Sequence, residues 1–278
     1  FFISRNIVIK LPEGVPPAVA QSFAGLVPAA VAIVLIWFIR VLLNFDINAF
    51  FTWLLSPLVM GLGTLPGMLI LIFLISILWC CGIHGDNVLS GITSPIFLKY
   101  IAENTQAYLN HQPIPHITAD GFYIVFMCLG GTGATLGLVI SMLRSKSKLY
   151  KSVGELSLPS AIFCINEPVI FGFPIVFNPI MMIPFTITPM ILCTLTYALM
   201  YFNIIGRPVL QIPWTMPPIF AAYFVTGGNI PAVIWSVCTI VISVFVFLPF
   251  FKMAEKKQLE KEEMENQENL EPVLNSEI

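Results

Sequence analysis

The sequence predicts an all-α membrane protein: a polytopic helical bundle in which some helices are re-entrant or discontinuous. Three observations carry that prediction. Of 278 residues, 57% are hydrophobic and only 10% charged, against about 25% charged residues in an average soluble domain. Five apolar windows, 22–44, 61–82, 120–143, 177–202 and 231–251, each reach the roughly 20 residues a helix needs to cross a bilayer. Three further apolar stretches are cut by proline and glycine and hold isolated polar residues, so they do not read as ordinary spans.

In chain order, "KLPEGVPPAVAQSF" is a proline-marked loop in which Pro17 is placed to open the first helix. After the first window, "DINAFFTWLLSPL" is too short to span and carries aromatics, which suits a helix lying at the membrane surface. The interrupted stretches are "IHGDNVLSGITSPIFLKY" (83–100), "LSLPSAIFCINEPVIFG" (156–172) and "IIGRPVLQIPWTMPPIFAAYFVTGGN" (204–229). Non-helical backbone survives at membrane depth only where protein or a water-filled cavity satisfies it, so these three are expected to be re-entrant or broken segments of a transporter. The chain divides into residues 1–60 (linker, one transmembrane helix and an interfacial helix), a transport domain at 61–251, and a charged tail at 252–278. The tail is expected to be a frayed cytosolic helix or a disordered segment. The start, "FFISRN", lacks a methionine and reads as a fragment or a processed form.

Charge is concentrated at the end of the chain: residues 252–278 hold four lysines and eight glutamates. Arg144, Lys146, Lys148 and Lys151 follow one span and Lys252, Lys256 and Lys257 follow the last, so the positive-inside rule places both segments, and the C-terminus, in the cytoplasm. No basic stripe with interleaved aromatics points to a nucleic acid. The six cysteines lie in apolar runs without metal-ligand spacing, and neither a metal nor another cofactor is expected. In "CLGGTGATLG" the lysine and Ser/Thr of a phosphate loop are missing, so no nucleotide site is expected. Gly133 and Gly137 instead read as a small-xxx-small packing face.

Glu167, in "CINEPVIFGFPIVFNP", is a carboxylate in one of the most apolar parts of the chain, with no lysine or arginine between Lys151 and Arg207. Burying an unpaired carboxylate costs several kcal/mol or more, and membrane chains keep such groups mainly where they face a cavity or bind something polar. Pro168 disfavours helix at Glu167, so the carboxylate should sit at a break beside the donors of Asn166. A carboxylate satisfied by helix ends, or held neutral, is the bland alternative. "WCCGIHGDN" sets His84 between glycines that allow close approach, followed by Asp86 and Asn87; Asp86 reads equally as a helix cap. "QIPWTMPP" sets Trp214 and Thr215 between prolines, where an aromatic face could meet a pyranose or anchor at the interface. Arg207 either pairs with an acidic group or marks a segment end.

The strings "INEPVIFGFPIVFNPIMMIPF", "GIHGDN", "VPPAVAQSF" and "PWTMPP", in this order and rough spacing, resemble the membrane permease component, enzyme IIC, of the bacterial sugar phosphotransferase system. The match is with the lactose/cellobiose/diacetylchitobiose branch and runs from about Val15 to Phe251. The resemblance implies additional N-terminal spans that mediate homodimer contact and are missing here. It implies a multi-pass protein of the bacterial plasma membrane that carries a β-linked disaccharide of the cellobiose, chitobiose or lactose type. The sugar's 6-hydroxyl would be phosphorylated by a phosphocysteine on a separate cytosolic enzyme IIB, itself served by IIA. By the same resemblance Glu167 and His84 hold the sugar near that hydroxyl, with Asn166 and Trp214 as further contacts. The alternative from another class is an ion-coupled secondary transporter with Glu167 as its proton or cation site.

Overall fold

The computed structural model describes residues 24–42, 61–173 and 175–276, with Phe2, Arg5, Ile7, Ile9 and Phe50, and side chains as far as residue 264. Among the described residues the structure is helical and contains no strand. The chain divides into two compact units, Phe1–Ser56 and Pro57–Ile278. In the first, helix α1 (Leu26–Val41) lies within the first apolar window and has no buried residue, as expected of a helix whose solvent is lipid. The loop around Pro17 and nearly all of the expected interfacial helix fall outside the described residues.

The second unit is the bundle. Helix α2 (Leu65–Cys80) starts at Thr64, whose side chain accepts the Gly67 N–H, with Pro66 in the first turn. It ends at Gly82, φ 80°, where Gly82 N–H donates to Trp79 O and Ile83 N–H to Leu78 O, both at 2.9 Å. That pair of hydrogen bonds closes the helix and turns the chain back. Helix α3 (Gly85–Leu109) then runs unbroken for 25 residues with Pro95 inside, which corrects the expectation of an interrupted segment at 83–100. Pro95 omits only the one ladder bond to Gly91, and an isolated omission is tolerated in a membrane helix.

The window 120–143 shows the opposite departure. Its length predicts one spanning helix, yet it forms two short ones, α4 (Phe122–Phe126) and α5 (Leu136–Met142), around a break. The glycines between them cause it: Gly130, Gly131 and Gly133 all have positive φ. The break's carbonyls are satisfied internally, by Leu136 N–H to Leu129 O at 2.9 Å, Thr135 hydroxyl to Gly130 O at 2.9 Å and Ser243 hydroxyl to Ala134 O at 2.6 Å. Gly137 does pack closely, since a Cβ there would meet Ser243 and the Val244 nitrogen at about 2.3–2.5 Å. Gly133, however, lies in the break and faces the Phe185 ring rather than sharing a helical face with Gly137.

Helix α6 (Lys148–Ile162) opens on the Ser147 side chain, which accepts the Tyr150 N–H at 3.3 Å. It gives way to α7 (Glu167–Gly172) through a non-helical turn at 163–166, so the expected break is present but ends at Asn166, and Glu167 itself is helical, with Pro168 accommodated in the first turn. Helix α8 (Pro179–Tyr201) is capped by Asn178. A long irregular stretch leads to α9 (Pro218–Val225), and α10 (Ile230–Ser276) closes the chain. Helix α8 and the Ile230–Met264 part of α10 are long and apolar enough to cross a membrane. The tail is therefore the continuation of α10. Helix α5 packs on α6 and α10, α8 on α2 and α10, and α9 on α10, around a core that includes Phe122, Phe126, Phe185 and Phe247, all fully buried.

Candidate functional site

A cavity of about 530 Å³ opens where α2, α3, α4 and the two breaks converge. Its lining includes His84, Asp86, Asn87, Asn166, Glu167 and Trp214. Residues from three separated segments thus meet in one space. Thr215, next to Trp214 in the chain, is not part of the lining.

Two similar turns deliver the polar groups. After Gly82, His84 caps α3, its Nδ1 accepting the Asn87 N–H at 3.3 Å; in the neutral ring the proton then sits on Nε2. Close approach of α3 to α2 needs Gly85, because a Cβ there would lie 2.4 Å from Ile75 O. At the second turn Cys164 takes the left-handed conformation, φ 62°, with Cys164 N–H donating to Ala161 O and Ile165 N–H to Ser160 O, both at 3.0 Å. A non-glycine residue there costs about 1–2 kcal/mol. As at Gly82, the functional candidate follows two residues later, here Asn166.

Asp86 is the organising group. Its Oδ2 accepts from Trp79 Nε1 at 2.8 Å and from the Thr132 hydroxyl at 2.6 Å, and its Oδ1 from the Tyr123 hydroxyl at 3.0 Å. The ring of Trp79 in turn lies 4.2 Å from that of His84, tilted by 46°. Asn166, only 4% exposed, donates its amide to Thr132 O at 2.7 Å. Gly131, at φ 105°, makes room for it, since a Cβ there would lie 2.4 Å from the Asn166 Cγ. A continuous chain of contacts thus runs from His84 through Trp79, Asp86 and Thr132 to Asn166.

Glu167 is the first residue of α7 and is exposed to the cavity, with no hydrogen-bond or ion-pair partner among the described residues. Trp214 is 56% exposed, so most of its ring is open. Arg207 lies away from the cavity and donates through Nη1 to the Ile114 carbonyl at 2.6 Å, which settles it as a loop clasp. Sequence reasoning misses Trp79, Tyr123 and Thr132. The first two sit inside apolar windows, where they read as core aromatics, and Thr132 sits in the glycine run that reads only as a packing surface. Among the described residues no cluster of His, Cys, Asp and Glu could hold a metal ion.

Comparison with known proteins bears on this arrangement. The family profile described as "Phosphotransferase system, EIIC" matches residues 1–189. The lichenan permease IIC component of Bacillus subtilis (strain 168) is 41% identical over 267 residues, covering 94% of this chain and 59% of that protein. The cellobiose-specific EIIC component of Geobacillus stearothermophilus is 35% identical, covering 94% and 60%. The crystal structure of the transporter ChbC, the IIC component of an N,N'-diacetylchitobiose-specific phosphotransferase system, matches with a TM-score of 0.73 at 36% identity, covering 95% of this chain and 62% of that one. The chain therefore spans about three-fifths of the length of these relatives. With its helical membrane bundle, its two breaks and a profile match over more than half its residues, this chain belongs to the EIIC family of the phosphotransferase system.

Proposed function

We propose that this chain forms the sugar-binding and translocating part of a phosphotransferase-system permease for a β-linked disaccharide. The observation that carries the reading is the single cavity of about 530 Å³ that collects His84, Asn87, Asn166, Glu167 and Trp214. Its volume falls in the range of small-molecule sites, roughly 300–1,000 Å³. Glu167 accepts hydrogen bonds from sugar hydroxyls, Asn166 and Asn87 supply amide partners, and the open face of Trp214 lies against the apolar face of a pyranose ring. The names of the relatives, lichenan, cellobiose and N,N'-diacetylchitobiose, agree with such a substrate.

In the reaction read from this arrangement, the sugar's 6-hydroxyl oxygen attacks the phosphorus of a phosphocysteine on enzyme IIB. The oxygen–phosphorus bond forms, the sulfur–phosphorus bond breaks and the cysteine leaves as thiolate. The hydroxyl proton passes to Glu167, whose carboxylate is free of protein donors among the described residues, and His84 orients the hydroxyl. The basic residues Arg144, Lys146, Lys148 and Lys151 mark the cytoplasmic face, with the C-terminus on the same side, and attract the phosphorylated partner. The full-length protein, a homodimer in the bacterial plasma membrane, is the working unit.

The test uses vesicles holding the full-length protein, with and without phosphorylated IIB, and an uncoupler. Sugar phosphate that accumulates only with IIB and regardless of the uncoupler is the expected result. Accumulation of free sugar that the uncoupler abolishes would overturn this reading in favour of proton coupling at Glu167.

A further inference from the structure

A second, smaller cavity, of about 180 Å³, lies at the end of the bundle that carries the basic loop, and it is lined by Tyr150, Asn178, Ile180, Met181, Ala254, Lys257, Gln258 and Lys261. Lys257 and Lys261 are four residues apart on α10, so they project from one face of the helix. Neither has an ion-pair partner among the described residues. Two acidic groups of this stretch are held by donors of the basic loop, and one of them, Glu262, also lies close enough to act on the Tyr150 hydroxyl. Glu255 accepts from the Ser145 hydroxyl and the Lys146 N–H, both at 2.6 Å, and Glu262 accepts from the Ser147 hydroxyl at 2.6 Å and from Gln258 at 3.5 Å.

The second observation is Tyr150. It is only 6% exposed, its ring is held against Phe173 at 4.7 Å and Phe251 at 6.1 Å, and it lines the cavity. Its hydroxyl has no hydrogen-bond partner among the described residues. The hydroxyl opens onto the cavity and is available there as a donor. Two unpaired ammonium groups and an orphan hydroxyl donor around one small space form a site for an anion with several acceptor oxygens.

We propose that this cavity binds a phosphate-ester anion, held by Lys257, Lys261 and the Tyr150 hydroxyl. Phosphate oxygens accept from all three groups at once, and basic pockets between helices at a membrane face are suited to such headgroups. Two sources offer this chemistry at a cytoplasmic membrane surface: the headgroup of an anionic phospholipid and a soluble sugar phosphate. Neither requires that the large cavity bind sugar.

The experiment is native mass spectrometry of the full-length permease in neutral detergent, titrated separately with phosphatidylglycerol and with glucose 6-phosphate. The variants are K257Q/K261Q and Y150F. The control, K252Q/K256Q, removes the same charge from the same helix outside the cavity. Circular dichroism checks that each variant keeps its helix content. The expected result is that one of the two probes binds, that K257Q/K261Q weakens it at least tenfold and Y150F about threefold, and that the control changes it less than twofold. Retention of phosphatidylglycerol assigns the lipid as the source, and retention of glucose 6-phosphate assigns the soluble ester. Binding of neither probe to the unaltered protein, or equal losses in control and cavity variants, overturns the proposal.

Discussion

At the scale of single residues the cavity separates groups that are free from groups that are committed. Glu167 is free of protein partners among the described residues, so Glu167→Gln should leave the fold intact and weaken sugar binding at least tenfold. The loss corresponds to one charge-assisted contact of about 1.5–3 kcal/mol, and isothermal titration with cellobiose and diacetylchitobiose checks it. Asp86 is committed to Trp79, Tyr123 and Thr132. Asp86→Asn replaces one acceptor oxygen with a donor that faces donors, so it should lower the melting temperature as well as sugar affinity, a pairing that Glu167→Gln should not show. His84→Ala should lower phosphorylation more than binding, because a mispositioned reactant loses on the order of 10²-fold in rate; bound sugar and sugar phosphate measured in the same vesicles separate the two. Glu167 is legible in the sequence because an unpaired carboxylate in an apolar run is expensive and Pro168 announces the break. The role of Asp86 is not legible, because its three donors lie 7 to 46 residues away, and no local pattern connects them.

At the scale of elements, the breaks are built from turns and not from long loops. Two glycines give opposite expectations. Gly131→Ala would place a Cβ 2.4 Å from the Asn166 Cγ at φ 105°, and should cost about 1–3 kcal/mol of stability with loss of the Asn166 contact. At Gly91, inside α3, an added Cβ would meet nothing within 4 Å, and Gly91→Ala should be neutral or stabilise by about 0.5–1 kcal/mol. Thermal unfolding of both variants in detergent decides. The same two positions explain what the sequence conceals at this scale. Glycine and proline near 91–95 read as a break yet are absorbed in an unbroken helix, whereas Gly133 reads as packing yet lies with Gly130 and Gly131 in the interruption of a span. Whether such residues break a helix depends on whether a neighbouring side chain satisfies the freed carbonyls, as Ser243 does for Ala134, and that partner lies 109 residues away in sequence.

At the scale of the whole molecule, the charged tail is tied to the basic loop through Glu255 and Glu262. Glu262 stands beyond the apolar window that ends at residue 251. The Ser147 hydroxyl, helped by Gln258 and the N–H groups of Lys148 and Leu149, holds its carboxyl below the ordinary value against a small opposing effect of burial. A carboxylate with a lowered folded value adds stability above the ordinary glutamate range, and that contribution is lost as pH falls through the folded value. Infrared difference spectra should therefore show the Glu262 carboxyl protonating at lower pH than in Ser147→Ala, and the band should be absent in Glu262→Gln. The tail's helical character is half visible in its composition, but its attachment is not, since it depends on serines more than a hundred residues earlier. Helix α10 has 47 residues, and at about 1.5 Å per residue it forms a rod about 70 Å long beside a hydrocarbon layer about 30 Å thick. About 40 Å of that length exceeds what the hydrocarbon layer needs, and Ser145 and Ser147 fasten the helix beyond its apolar window. Shortening the helix beyond Met264 would remove length without removing a residue that lines either cavity.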